Sequence, residues 1–363
     1  MNVVNRSCEQ RSQTLVLPTE DDLVGINEIA QFAAVSRQAV ANWRARFPDF
    51  PEPLADLRAG PVFRVRQVRA WLRRRKIPMA RVISLINLKG GVAKTTTTVA
   101  LAETLAAHFG KRVLVIDLDP QTNSTVMLIG EARWKAMNKK GRTLATLFKD
   151  ALQPRNGSFD IDKSLRRKVS DVQGADKVDL LPSSLDLIDV QDRLASAPTG
   201  QFYAVTPIDL HRLAVKSKHD DYDLVLIDCP PNLGIITLNG LRISEGYLIP
   251  TVPDVLSTYG IPQIIKRVSS FSREIAEDVE PLGIVITKYQ ENSTTHKNVS
   301  KNLRTEGDPP VFRTVIRQAN QIAAAAEFQN SRRTLKQKYG YGDLAERYID
   351  LAEELLDKLD IDT

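Results

Sequence analysis

Five runs of this chain are dense in Val, Ile and Leu: RVISLINL (81–88), RVLVIDLDP (112–120), YDLVLIDCPP (222–231), GYLIPTV (246–252) and LGIVITKY (282–289). Each has strand length and a β-branched content that favours extended backbone. Helical stretches separate them, the first being TTTTVALAETLAAHFG (95–110), which stops at Gly110. A strand apolar on both faces needs cover on both, and a parallel sheet between two layers of helices supplies it. Residues 80–363 are therefore expected to form an α/β fold, a parallel sheet with helices on both faces.

The link between the first run and its helix reads LKGGVAKTT (88–96). A P-loop has the form G-x-x-x-x-G-K-[ST]. With Lys94 as its lysine, the two glycines belong at positions 88 and 93, where this chain has Leu88 and Ala93. The parts that bind phosphate are nevertheless in place. Gly90-Gly91 lets successive amides curl toward one anion, and the helix N-terminus adds free N–H groups and its dipole. Lys94 is set to reach the β- and γ-phosphates, Thr95 to offer its hydroxyl to Mg²⁺, and Thr96 to reach the α-phosphate. The loop itself gives Gly90, Gly91, Val92, Ala93, Lys94, Thr95 and Thr96 as the expected nucleotide-binding set. Asp228, closing a strand of Val and Leu, stands where a Walker B carboxylate holds the magnesium.

The first 80 residues have a different character. They hold 13 Lys/Arg against 8 Asp/Glu, a net +5, whereas the remaining 283 residues carry only +1. Such a local basic excess points to nucleic acid. Residues 1–20 are polar and unpatterned, a flexible tail in expectation. GINEIAQFAAVSRQAVANWRARF (25–47) then gives two short helical patterns, with Ser36 as a helix cap at the break. Val40, Trp43 and Phe47 turn inward in the second, which leaves Arg37, Gln38, Asn42, Arg44 and Arg46 toward solvent. Those side chains suit base edges in a major groove. LRAGPVFRV can turn back around Gly60-Pro61, and RQVRAWLRRRK makes a basic helix with Val68, Trp71 and Leu72 inward. Residues 21–79 are thus expected to be a small, mainly helical, winged helix-turn-helix domain that binds DNA. The order resembles the modules of MerR-like and AlpA-like regulators.

Lys89 at the head of the loop carries a further resemblance. KGGVAKTT matches the K-G-G-V-G-K-T-T of deviant Walker A ATPases, and of the ParA-type partition ATPases among them, at seven of eight positions. The likeness continues through VLVIDLDPQTN (113–123), LVLIDCPPNLG (224–234) and VFRTVIRQANQIAAAAEFQNSRRTL (311–335), and so spans residues 80–363. It implies an ATPase with ATP and Mg²⁺ as cofactors and a slow basal rate. It makes Lys89 the lysine that crosses an ATP-bound homodimer to the partner's phosphates. Asp119 becomes the residue that positions the attacking water, and Asp117, Asp228 and Thr95 the metal side. Further implications are nonspecific DNA binding in the ATP state, release on hydrolysis stimulated by a ParB-like partner, and repression of the chain's own operator. Lys266, Arg267, Arg317, Arg332 and Arg333 are candidate DNA contacts in this half. Ala93 departs from the family glycine and puts normal affinity or turnover in question.

Other classes fit less well. No apolar run approaches the ~18 residues of a membrane span, and the opening residues lack a signal core, so a cytoplasmic protein is expected, to which the ParA-type resemblance adds association with the nucleoid. The acidic stretch 343–363 is unlike the basic membrane-docking helix of MinD-like relatives. Cys8 and Cys229 cannot supply the shared cluster of the nitrogenase iron protein and its kin. Two alternatives stay open: a transcription regulator whose dimer state ATP controls, and a positioning ATPase for a protein cargo.

Overall fold

The structure, a computed structural model, describes residues 23–33, 37–58, 60–74, 80–152, 158–196, 221–275 and 277–361. The tail 1–20 and the Ser36 cap lie outside these residues. Two compact units divide the chain, residues 1–77 and 78–363.

In the smaller unit, β1 (Leu23–Gly25), β2 (Ala55–Leu57) and β3 (Gly60–Arg64) form an antiparallel sheet in the order β1-β3-β2. Helices Ile26–Phe32, Arg37–Arg46 and Val65–Arg74 accompany it. The β2–β3 turn is tight because Gly60 takes φ +117, a conformation that side-chain-bearing residues avoid. Trp71 is fully buried, with the rings of Trp43, Phe47 and Phe50 centred within 4.7–5.8 Å of its own. Val68 and Leu72 are buried beside it, as their spacing requires, and Val24 and Phe63 bring the sheet into the same core. β1 is a third strand that the hydrophobic pattern alone does not reveal, because it is only three residues long.

The larger unit is built on a seven-stranded sheet, ordered β10-β9-β8-β4-β7-β5-β6, in which every pair is parallel. Its strands are β4 (Arg81–Leu85), β5 (Val113–Asp117), β6 (Val178–Leu181), β7 (Leu224–Asp228), β8 (Gly246–Thr251), β9 (Glu280–Tyr289) and β10 (Val311–Arg317). Alternate residues of one strand enter opposite cores. Ile83, Val113 and Val115 join the helix Lys94–Ala107 and the C-terminal helix Leu344–Lys358. Val82, Leu114 and Ile116 join Phe148, Ile264, Val268 and Phe271 on the other face. The expected α/β fold with cover on both faces is the fold that forms. The acidic C-terminal helix is part of that cover, burying Tyr348, Leu351, Leu355 and Leu356.

Candidate functional site

β4 lies between β7 and β8, and its carboxyl end opens into residues 86–93 before the helix Lys94–Ala107 begins. Crevices at the carboxyl ends of parallel strands are where such sheets bind ligands. Gly91 (φ +76) and Ala93 (φ 63) both take left-handed backbone. No atom beyond the chain neighbours lies within 4 Å of where a Cβ on Gly90 or Gly91 would stand, so both glycines face open space. Val92 is buried, Thr95 and Thr96 are half-buried, and the Lys89 side chain is exposed. Lys94 is buried, and its ammonium donates to the carbonyls of Asn87 (3.2 Å) and Lys89 (3.3 Å). Burial lowers the Lys94 pKa, opposed by the charges of Asp228 and Asp119.

Two carboxylates close the site from the sheet. Asp117 and Asp228 end β5 and β7, are paired in register, and are both fully buried. Asp117 is well supplied with donors: one oxygen accepts from the Asp119 N–H (3.1 Å), the other from the N–H (2.9 Å) and hydroxyl (2.6 Å) of Thr125. Asp228 accepts from the Ser124 hydroxyl through Oδ2 (2.6 Å), while its Oδ1 has no hydrogen-bond partner. Burial raises Asp228 to about 6 despite the Ser124 and Thr95 hydroxyls. Burial and the neighbouring Asp228 raise Asp117 well above the usual carboxylate range. An orphaned, buried carboxylate oxygen beside a second carboxylate is a place for a cation. Asp119 is 7% exposed and accepts from the Gln121 N–H (2.9 Å).

Residues that the motif does not name hold this arrangement. Asn87 donates through its amide to the Pro250 carbonyl and the Thr251 hydroxyl (both 2.9 Å) and accepts from the Lys89 N–H (2.9 Å). It thereby ties the head of the loop to the end of β8. Asn87 was legible as the single amide in an apolar run. Ser124 and Thr125, three and four residues beyond Gln121, carry no comparable signal.

In the smaller unit, Arg37, Gln38, Asn42 and Arg44 all lie exposed on the helix Arg37–Arg46, and the Arg46 side chain is outside the described residues. Gln38 Nε2 donates to Asn42 Oδ1 (3.1 Å), and the Arg44 guanidinium sits 5.4 Å from the centre of the Phe63 ring. In the larger unit, Lys266 and Arg267 are exposed. Arg317 pairs with Glu291 and Asp343, and Arg332 with Asp176. Arg333 is buried and donates to Asp171 at 2.5 Å, which makes it a packing residue rather than a DNA contact.

A parallel sheet with a phosphate loop on its central strand β4 and aspartates at the ends of the next two strands, β7 and β5, defines a P-loop nucleotide-binding domain. Residues 80–280 match the family model described as an AAA domain. The chain is 32% identical over 276 residues to the chromosome-partitioning ATPase Soj of Thermus thermophilus, covering 76% of this chain and 95% of that protein. It is 27% identical to the chromosome partitioning protein ParA of Caulobacter vibrioides, covering 68% and 84%. Among solved structures, cobyrinic acid a,c-diamide synthase of Mycobacterium smegmatis with bound ADP and magnesium matches at TM-score 0.59 and 25% identity, over 78% of this chain and 96% of that one. A plasmid partition protein of Borrelia burgdorferi bound to AMPPNP matches in fold at TM-score 0.55 and 21% identity, over 77% and 99%. The chain belongs to the ParA-type partition ATPases. Among its described residues, no helix is long and apolar enough to cross a membrane.

Proposed function

We propose that this ATPase uses ATP and Mg²⁺ to switch between a free state and a DNA-bound homodimer in a partition system. The observation that carries this reading is the exposed Lys89 at the head of a loop with left-handed backbone at Gly91 and Ala93, on the strand next to the one that ends in the orphaned Asp228 oxygen. The amides of residues 90–96 and Lys94 would hold the phosphates. Thr95 and Asp228 would hold the metal, with Asp117 behind them, and the metal would neutralise charge on the phosphates. Asp119 would orient the attacking water. Lys89, free of the protein core, would reach phosphates held by the partner, so that ATP joins two copies and hydrolysis parts them. Residues 21–79 would act as a winged helix-turn-helix, with Arg37, Gln38, Asn42, Arg44 and Arg46 reading an operator. A ParB-like protein would be the natural stimulator of turnover.

The deciding experiment is binding to random-sequence DNA with no nucleotide, ADP, or ATP plus Mg²⁺, at one near-physiological salt, since phosphate contacts make such affinities salt-dependent. The expected result is binding with ATP alone, lost in Lys94→Ala. Binding indifferent to nucleotide would locate the DNA contact in the smaller unit and favour a transcription regulator. ATP-dependent binding with no centromere-binding partner would favour a protein cargo.

A further inference from the structure

Two side chains at the end of β9 grip the phosphate loop from almost 200 residues away. The buried Thr287 hydroxyl donates to the Val92 carbonyl (3.0 Å), and the Lys288 ammonium donates to the Gly91 carbonyl (2.7 Å). In the sheet β8 lies between β9 and β4, so these bonds pass over a strand to reach a loop that β4 carries. Among the described residues, Lys288 is one of five other than glycine with positive φ, at 49°. Left-handed backbone in such a residue costs of order 1 kcal/mol and persists only where its surroundings enforce it.

A trans peptide directs its C=O and its N–H to opposite sides. The Gly91 carbonyl shares a peptide with the Val92 N–H, and the Val92 carbonyl shares one with the Ala93 N–H. Fixing the two carbonyls therefore fixes the two amides. The need is greater here than in a loop with glycine at position 93, because Ala93 is held at φ 63, where alanine is strained. The Thr287 hydroxyl has its bond to the loop in a fully buried position. A Val92 carbonyl deprived of it would be free to rotate its peptide.

We propose that Thr287 and Lys288 are positioning residues for the phosphate loop, which hold the Gly91 and Val92 carbonyls so that the Val92 and Ala93 amides face the bound phosphates. The inference rests on the ATP reading of the site. Neither residue touches the reacting atoms in this account; both act through the loop backbone.

The test is titration of the full-length chain with N-methylanthraniloyl-ATP and Mg²⁺, followed by steady-state ATP hydrolysis. Thr287→Val keeps shape and strand preference but removes the hydroxyl, and is expected to weaken binding about tenfold. Lys288→Met, at an exposed side chain where folding is not at risk, is expected to weaken it about threefold. Thr287→Ser keeps the donor and should stay within about twofold of the parent. For Thr287→Val and Lys288→Met, KM should move more than kcat. Unchanged nucleotide affinity in both Thr287→Val and Lys288→Met would overturn the proposal. So would a Thr287→Ser variant as weak as Thr287→Val, which would make the effect one of packing. A parent chain that does not bind the nucleotide overturns both this inference and the ATPase reading beneath it.

Discussion

At the scale of single residues, Ala93 is the point where this chain departs from its family's loop, and the backbone shows why that matters. Its φ of 63° and ψ of 28° are a glycine's conformation. Ala93→Gly should therefore stabilise the protein by about 1 kcal/mol, seen as a rise of about 2–4 °C in Tm. A fall in Tm would mean that the methyl group contributes packing that outweighs the strain. Asp228 makes the opposite case, a group kept at a cost to the empty protein. Its carboxylate is buried beside Asp117, and a folded pKa raised to about 6 means that ionising it at neutral pH opposes folding. Asp228→Asn should leave the nucleotide-free Tm unchanged or higher, yet abolish the extra Tm conferred by ATP with Mg²⁺. Differential scanning fluorimetry with and without the nucleotide checks both halves. The candidates Lys94, Thr95 and Asp228 were legible because phosphate chemistry demands a few residue types at fixed spacing, whereas Lys89 and Asp117 were marked only by the family resemblance. Lys89, Lys94, Thr95, Asp117 and Asp228 all come together at one end of the sheet. Thr287 and Lys288 were not legible as site residues, since a threonine and a lysine at a strand end carry no signal until topology brings them to the loop.

At the scale of elements, strand legibility follows burial. β4, β5, β7, β8 and β9 read from their apolar runs because both faces are covered. β10 alternates buried and exposed residues at the sheet's edge, with Arg313 and Arg317 interrupting its apolar pattern, and β6 is only four residues long. Neither stands out in sequence as a buried strand. The smaller unit was read instead from helical spacing, a glycine-proline turn and a local basic excess, and Trp43 and Trp71, both on inward faces by that spacing, lie on two helices that touch. So small a unit has little reserve of buried surface, and the Trp71 cluster is its centre. Trp71→Ala should cost about 3–5 kcal/mol and unfold this unit. The ATPase unit, which has two cores of its own, should stay folded and retain basal hydrolysis. Limited proteolysis together with an ATPase assay would show it. A coincident loss of activity would mean that the two units fold as one.

Across the whole molecule, a buried charge network ties the C-terminal region to the helix that follows the phosphate loop. Glu103 lies on the helix that begins at Lys94, and its two oxygens accept from Lys338 (2.7 Å), Ser170 (2.7 Å) and Tyr339 (2.5 Å). Lys338 also donates to Asp171 (2.7 Å), which is paired in turn with Arg333. Two acids and two bases, all buried, leave the cluster neutral. Burial alone would raise Asp171, but Lys338, the Gln329 N–H and Arg333 outweigh it and hold it below the usual carboxylate range. A lowered folded pKa stabilises above the unfolded value of about 4, and that contribution is lost as pH falls through the folded pKa. Lys338→Met would leave one carboxylate charge uncompensated in the core, at a cost of about 3–5 kcal/mol near neutrality. The sign of its pH dependence is then reversed. Burial of Asp171 is then no longer opposed by Lys338, and the penalty is shed as this carboxylate binds a proton when the pH falls toward 5. Urea unfolding of parent and variant at pH 7 and pH 5 should therefore show a deficit that shrinks on acidification. A deficit equal at both values would mean that Lys338 acts by packing its methylene chain, with its charge playing no part.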